Sequence, residues 1–243
     1  MIQLLTPAHW KDYELIDCGD FEKLERFGSM ILIRPEPQAV WAKALPQAEW
    51  QKLHHIRFRG RSATSGDWVK KNPATPDRWH ISYQNPDVAI KLRLALTSFK
   101  HVGVFPEQAV NWDYISSAIK KFKSASPKVL NLFAYTGGAS LVAKAAGADT
   151  THVDSIRQVV SWSNENQELS GLKDIRWVVE DALKFVKREI KRGKKYNGII
   201  LVPPSDCHGP NGEKWKLEDH IQEMMQDVVQ LLDPTEHFRV LHT

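Results

Sequence analysis

Three short stretches of the chain carry residue types able to hold a small ligand. The first is Tyr135-Thr136-Gly137-Gly138-Ala139, directly after an apolar run that begins at Val129. Paired glycines after a strand permit a tight turn into a helix and close approach of a ligand to the backbone. Their spacing lacks the G-x-G-x-x-G that seats a pyrophosphate at a helix start, so a dinucleotide is disfavoured. The second stretch is Asp154-Ser155, where the acid follows Gly137 by 17 residues. That is about where a carboxylate gripping ribose hydroxyls is expected. The third is Glu180-Asp181-Ala182, where a carboxylate could accept a hydrogen bond from an adenine amine, with Phe133 or Tyr135 as an apolar wall. Asp154 and Asp181 would equally well cap the helices after them. Together, at three successive strand ends, these residues favour an adenosine ligand without a diphosphate.

A fourth stretch, GIILVPPSDCHGP (198–210), runs from branched apolar side chains into two prolines and a polar loop. Pro203 and Pro204 shape a rigid turn that has no backbone donors of its own. Cys207 stands between Asp206 and His208, and an imidazolium beside a thiol would lower its pKa toward a nucleophilic thiolate. Neighbours on one strand point apart, so an ordinary loop cysteine is the competing reading.

Elements able to position these residues follow from the pattern. From Gln108 onward, Val110, Trp112, Ile115, Ala118 and Ile119 fall at helical spacing. After a break at Ser124–Pro127, short strands alternate with helices: strands at 129–135, 150–154, 175–181, 196–202 and 237–243, with helices between them. Such alternation implies right-handed βαβ crossovers and a parallel sheet covered on both faces. The fold class is therefore α/β, Rossmann-like. Residues 1–105 instead look β-rich and irregular, with strands in YELID, MILIRP, WHISY and VAIKLRLAL and one helix starting at Pro46, so we expect a small α+β module there and the sheet domain over 106–243.

The combination resembles the class I S-adenosylmethionine-dependent methyltransferases, in the bacterial branch related to the ribosomal RNA large-subunit cytosine-C5 methyltransferases. TSFKHVGVFPEQAVNW (97–112), VLNLFAYTGGAS (129–140), HVDS (152–155) and GPNGEKWKLE (209–218) carry the resemblance, which covers nearly the whole chain. It implies S-adenosylmethionine as cofactor, with Tyr135, Thr136, Gly137 and Gly138 lining the methionine moiety, Asp154 on ribose, and Asp181 with Ala182 facing adenine. It also implies that Phe105 and Gln108 belong to the cofactor and substrate cleft, although Gln108 is equally well a helix-start residue.

Two departures matter. That family ends the fourth strand in an acid or amide before Pro-Pro, where this chain has Val202, which can neither orient a target base nor accept a hydrogen bond. The family sheet has seven strands, and the strand at 237–243 looks like the fifth, so the domain reads as lacking the final hairpin. A degenerate, catalytically impaired binding or assembly module is therefore the alternative to an active RNA methyltransferase, and either another chain, such as a second copy, covers the last strand or the sheet is marginal there.

Composition agrees with a globular protein: 243 residues, 42% apolar, with two cysteines and nine tryptophans. Two cysteines are too few for a disulfide framework, no apolar run reaches membrane-span length, and the start lacks a signal-peptide pattern, so we expect a cytoplasmic protein without a membrane partner. A formal charge of +4 is concentrated at Arg57–Arg61 with Lys70 and Lys71, and at 184–195. Both clusters would suit RNA phosphates or, more plainly, solvated faces.

Overall fold

The computed structural model describes residues 5–7, 9–62, 65–208 and 212–242, with only the backbone of His208. The chain divides into two compact units, Met1–Gln84 with Lys91–Glu107, and Asn85–Ile90 with Gln108–Thr243.

In the first unit, β1 (Tyr13–Gly19), β2 (Glu22–Phe27) and β3 (Met30–Pro35) form an antiparallel meander. Helix α1 (Gln47–Leu53) crosses over to β4 (Ile56–Gly60), parallel to β3, and β5 (Gly66–Lys70) closes the sheet in the order β1-β2-β3-β4-β5. Trp50 of α1 is buried against Leu24 and Ile33, and its indole N–H donates to Asp17 at 2.8 Å. Strands β6 (Arg78–Gln84) and β7 (Ala89–Ala95) pair as a separate two-stranded sheet. Every second residue of β6 is buried, the period-2 signature of a half-buried strand. The turn Asn85–Ile90 groups with the second unit because Asn85 donates to Asp113 and Ser116 there, at 2.9 and 3.0 Å.

The second unit opens with α2 (Ala109–Lys121). It then alternates β8 (Lys128–Leu132), α3 (Gly138–Ala145), β9 (Asp149–Asp154), α4 (Arg157–Leu169), β10 (Arg176–Val179), α5 (Ala182–Lys191) and β11 (Gly198–Leu201). A small hairpin, β12 (Asp206–His208) with β13 (Lys214–Lys216), precedes α6 (Leu217–Leu231) and β14 (Phe238–Leu241). The five long strands form one sheet in the order β10-β9-β8-β11-β14, parallel throughout. Strand order reverses between β8 and β11, which is the switch point where open α/β sheets bind ligands.

Alternation along the strands assigns the faces. Leu130, Leu132, Val153, Ile199 and Leu201 point into a core with Phe185 and Val186 of α5 and Met224, Val228 and Leu231 of α6. Each such side chain contributes about 1.5–3 kcal/mol by leaving water. The intervening residues Asn131 and His152 point the other way, toward α3 and α4. No described helix is long and apolar enough to cross a membrane.

Candidate functional site

The carboxyl end of β8 runs into a backbone that is unusual for its residue types. Phe133 and Tyr135 adopt φ of 53° and 49°, and Gly137 adopts 89°. A non-glycine residue in this left-handed region costs about 1–2 kcal/mol, and such strain collects at ligand sites. The loop is held in place by specific bonds. Ala134 N–H donates to Val153 O at 3.1 Å, and Tyr135 N–H to Asp154 Oδ2 at 2.9 Å. From α4, Ser163 Oγ donates to Tyr135 O at 2.7 Å and buried Asn166 Nδ2 to Thr136 O at 2.9 Å.

The glycine pair has two separate causes. Gly137 supplies the left-handed turn into α3. Gly138 lets α3 approach α2, because a Cβ there would lie 2.5 Å from Trp112 Cζ2.

The two acids behave differently. Asp154 makes no side-chain cap to α4; its Oδ1 accepts from Ile156 N–H at 3.0 Å while Oδ2 holds the loop. Burial raises its pKa above the ordinary carboxylate value, and the amides of Ile156, Tyr135 and Ser155 oppose that shift. Half-buried Ser155 thus contributes its backbone N–H to the carboxylate. Asp181 does cap α5, accepting from Lys184 N–H at 2.9 Å. Its neighbour Glu180 is bound at both oxygens by Arg188, at 2.7 and 2.6 Å, and Ala182 is buried in the core beneath.

Opposite this row, β11 ends in half-buried Val202, buried Pro203 and exposed Pro204. Trp215 of β13 donates its indole N–H to Pro204 O at 2.9 Å, and its ring lies 4.7 Å from that of Phe133. The β12–β13 hairpin is thereby closed onto the strand ends, with Cys207 packed against the same core. The Cys207 thiol is pushed up to about 11, first by burial and then by the charges of Asp154, Asp181 and Asp206. Acids from three different segments therefore lie within electrostatic reach of one sulfur. That environment opposes a thiolate at neutral pH.

Two further candidates belong to other segments. Gln108 is the N-cap residue of α2, and its Oε1 accepts from Asn111 at 2.9 Å. Phe105 belongs to the first unit, where its ring lies 4.9 Å from that of His101 and lines a 120 Å³ cavity with Lys23, Arg34 and Lys100.

The basic clusters are largely paired. In the second unit Lys184 pairs with Glu213, Lys187 with Glu223, Arg188 with Glu180 and Arg192 with Glu189. In the first, Arg57 pairs with Glu22, Arg61 with Asp67 and Lys70 with Asp77, while Arg59 is exposed.

Sequence reasoning did not single out Asn131, Ser140, His152, Ser163 or Asn166, which form a buried polar layer under the glycine loop. Only Asn131 carried a signal, as a polar residue inside the apolar run VLNLF; nothing local marks the other four.

The model of the S-adenosylmethionine-dependent methyltransferase family matches residues 31–236. The chain belongs to this family. A crystal structure of the SAM-dependent methyltransferase from Agrobacterium tumefaciens is 39% identical with a TM-score of 0.91, covering 99% of this chain and 76% of that one. The structure of SMU.776 complexed with SAH shares the fold at 19% identity and TM-score 0.74, covering 97% of this chain and 63% of that one. Among curated proteins, the ribosomal RNA large subunit methyltransferase K/L of Shewanella frigidimarina is 30% identical over 162 residues, which is 65% of this chain and 22% of that protein. This chain thus spans about a fifth of the length of such relatives. The residues present are compatible with the family's cofactor: a half-buried carboxylate, Asp154, bound to a strained glycine loop, with acids near Cys207 suited to a cation.

Proposed function

We propose that the chain binds S-adenosylmethionine across the ends of β8, β9 and β10 and methylates a base of RNA, in the manner its ribosomal RNA relatives suggest. The observation that carries this reading is the joining of the strained Phe133–Gly138 loop to Asp154 through the Tyr135 amide. When bound, S-adenosylmethionine supplies an electrophilic methyl group on sulfur.

In this reading Tyr135, Thr136, Gly137 and Gly138 face the methionine end, Asp154 and Ser155 the ribose, and Phe133, Asp181 and the backbone of Ala182 the adenine. Gln108, at the start of α2, is the further residue of this unit that the family resemblance assigns to the cleft. Pro203 and Pro204 present a rigid, donor-free edge to the incoming base, and the chain's work is alignment of the two reactants, which alone can lower a barrier by several kcal/mol, roughly 7–11 in favourable cases. Cys207 has no covalent role here, because its acidic, half-buried setting holds the proton on sulfur. Arg59, Lys191 and Lys194, exposed and in no ion pair among the described residues, give positive charge for phosphates. A cytoplasmic location goes with that substrate. The outer edge of β14, which pairs with β11 alone among the described strands, would be covered by a second copy.

A second reading has its own observation. Val202 provides no acceptor beside the two prolines, so the pocket could bind cofactor without supporting transfer. Incubation with tritiated S-adenosylmethionine and unmodified bulk RNA tests the choice. Label in RNA supports the enzyme; binding without transfer supports the module.

A further inference from the structure

We propose that His152 is a positioning residue for the cofactor site, setting the Phe133–Gly138 loop through Ser163; this rests on the reading of that loop as the cofactor cradle. Four polar side chains, Asn131, Ser140, His152 and Ser163, lie at 2, 0, 0 and 0% exposure in the layer beneath the loop. Apolar residues would pack there without needing partners, whereas each buried polar group must be matched to avoid a desolvation penalty. They are matched to one another in a single line. Asn131 Nδ2 donates to Ser140 Oγ at 2.9 Å, Ser140 Oγ meets His152 Nδ1 at 3.0 Å, His152 Nε2 meets Ser163 Oγ at 3.5 Å, and Ser163 Oγ donates to Tyr135 O at 2.7 Å.

The line has a direction. Ser140 already accepts from Asn131, which leaves its own proton for Nδ1. The Ser163 proton lies toward Tyr135 O, so Nε2 meets a lone pair there and must itself carry hydrogen. The geometry assigns the neutral Nε2–H tautomer. Burial keeps the ring neutral, pushing the imidazole down to about 3, and the Trp177 ring, its centroid 4.7 Å away, adds no charge.

The histidine matters because Ser163 has a choice. Its hydroxyl can also bond back to Val159 O, 3.0 Å away in its own helix. A donor at Nε2 occupies an Oγ lone pair and turns the hydroxyl toward Tyr135. Tyr135 then keeps φ of 49° with its N–H on Asp154. His152 also lies directly beneath the turn, since a Cβ at Gly137 would sit 3.1 Å from Ser163 Cβ and 3.7 Å from His152 Cε1.

The test compares His152→Phe, which keeps the ring and removes the donor, with His152→Gln, which restores an amide donor near Nε2, and with Ser163→Ala. S-adenosylmethionine affinity is measured by titration calorimetry alongside the melting temperature. We expect about ten-fold weaker binding for His152→Phe and for Ser163→Ala, no further loss in the double variant, and recovery in His152→Gln, as one shared linkage requires. Unchanged affinity in His152→Phe, or additive losses in the double variant, overturns the proposal. Should His152→Phe fail to fold, Ser163→Ala and His152→Gln decide. Imidazole ¹⁵N shifts of the ligand-free protein give an independent readout: a protonated Nδ1 contradicts it. Wild-type protein that binds no S-adenosylmethionine overturns the cofactor reading instead, and the ¹⁵N shifts together with Tyr135 amide exchange still decide the linkage.

Discussion

The backbone amide of Tyr135 donates to Asp154 Oδ2 at 2.9 Å, so the ends of β8 and β9 are joined by a side chain 19 residues away in sequence. One carboxylate thereby holds the glycine loop in place. Asp154→Asn keeps the size but turns an amide N–H₂ toward either Tyr135 or Ile156, donor against donor. We expect at least about a ten-fold loss of S-adenosylmethionine affinity, read by filter retention of tritiated cofactor. Affinity equal to wild type would show that the carboxylate is dispensable.

Gly138 tests the packing under the site. Gly138→Ala places a methyl group against the Trp112 indole, and overpacking of this kind costs about 1–3 kcal/mol. Urea denaturation should show that loss, and Trp112→Leu in the same chain should recover part of it. A neutral Gly138→Ala would mean that α2 and α3 yield freely.

Cys207 should react as a reluctant thiol. With its pKa pushed from 9.0 to about 11, the thiolate fraction at pH 8 is on the order of a thousandth. In a Cys18→Ser background, alkylation by iodoacetamide should still be rising at pH 10. A rate that levels off below pH 9 would restore a reactive cysteine.

His152 makes a pH-dependent contribution whose sign follows from its lowered pKa. The unfolded imidazole takes up a proton below about 6.5, whereas the buried one resists until about 3. Its contribution is therefore intact above pH 6.5 and declines by about 1.4 kcal/mol per unit as pH falls below it. His101, lowered to about 4 by burial and by Arg34, Lys100 and Lys23, acts in the same sense. Urea midpoints at pH 7 and pH 5 for wild type and His152→Phe separate the two. Wild type should lose more than the variant on acidification, and equal losses would contradict a neutral buried imidazole.

Val202→Asp addresses the strand end before Pro203. If that position limits transfer, methyl incorporation into RNA should rise well above wild type, by at least about ten-fold, when measured as acid-precipitable tritium, because one charge-assisted bond contributes about 1.5–3 kcal/mol. No change would place the limit elsewhere.

The parallel sheet was legible because each strand of the second unit is a short apolar run and each intervening helix keeps its spacing. The first unit was less so. EKLERF does not read as a strand, and Ile56–Gly60 reads as the end of the helical stretch from Pro46 and as part of a basic cluster, yet they are β2 and β4, joined by Glu22–Arg57, while Glu25 pairs with Arg34 of β3. The β12–β13 hairpin was missed because three residues per strand give no period.

Within the site, Gly137, Gly138, Asp154 and Asp181 stand out by type and position. Reading their roles needed the fold. Asp181 caps α5 whereas Asp154 reaches sideways to Tyr135, and nothing local distinguishes the two. Likewise the positive run at 184–195 seemed open to phosphates until Lys187 met Glu223 on α6, 36 residues away. Buried polar pairs such as His152 with Ser163 are set by which strand lies over which helix, and sequence periodicity does not carry that information.

Titration calorimetry of the wild-type chain with S-adenosylmethionine, repeated on Asp154→Ala, tests the central claim most directly. A single-site isotherm in wild type that vanishes in Asp154→Ala is the expected result. Wild-type protein giving neither heat nor a thermal shift, with S-adenosylmethionine or with S-adenosylhomocysteine, would contradict the account.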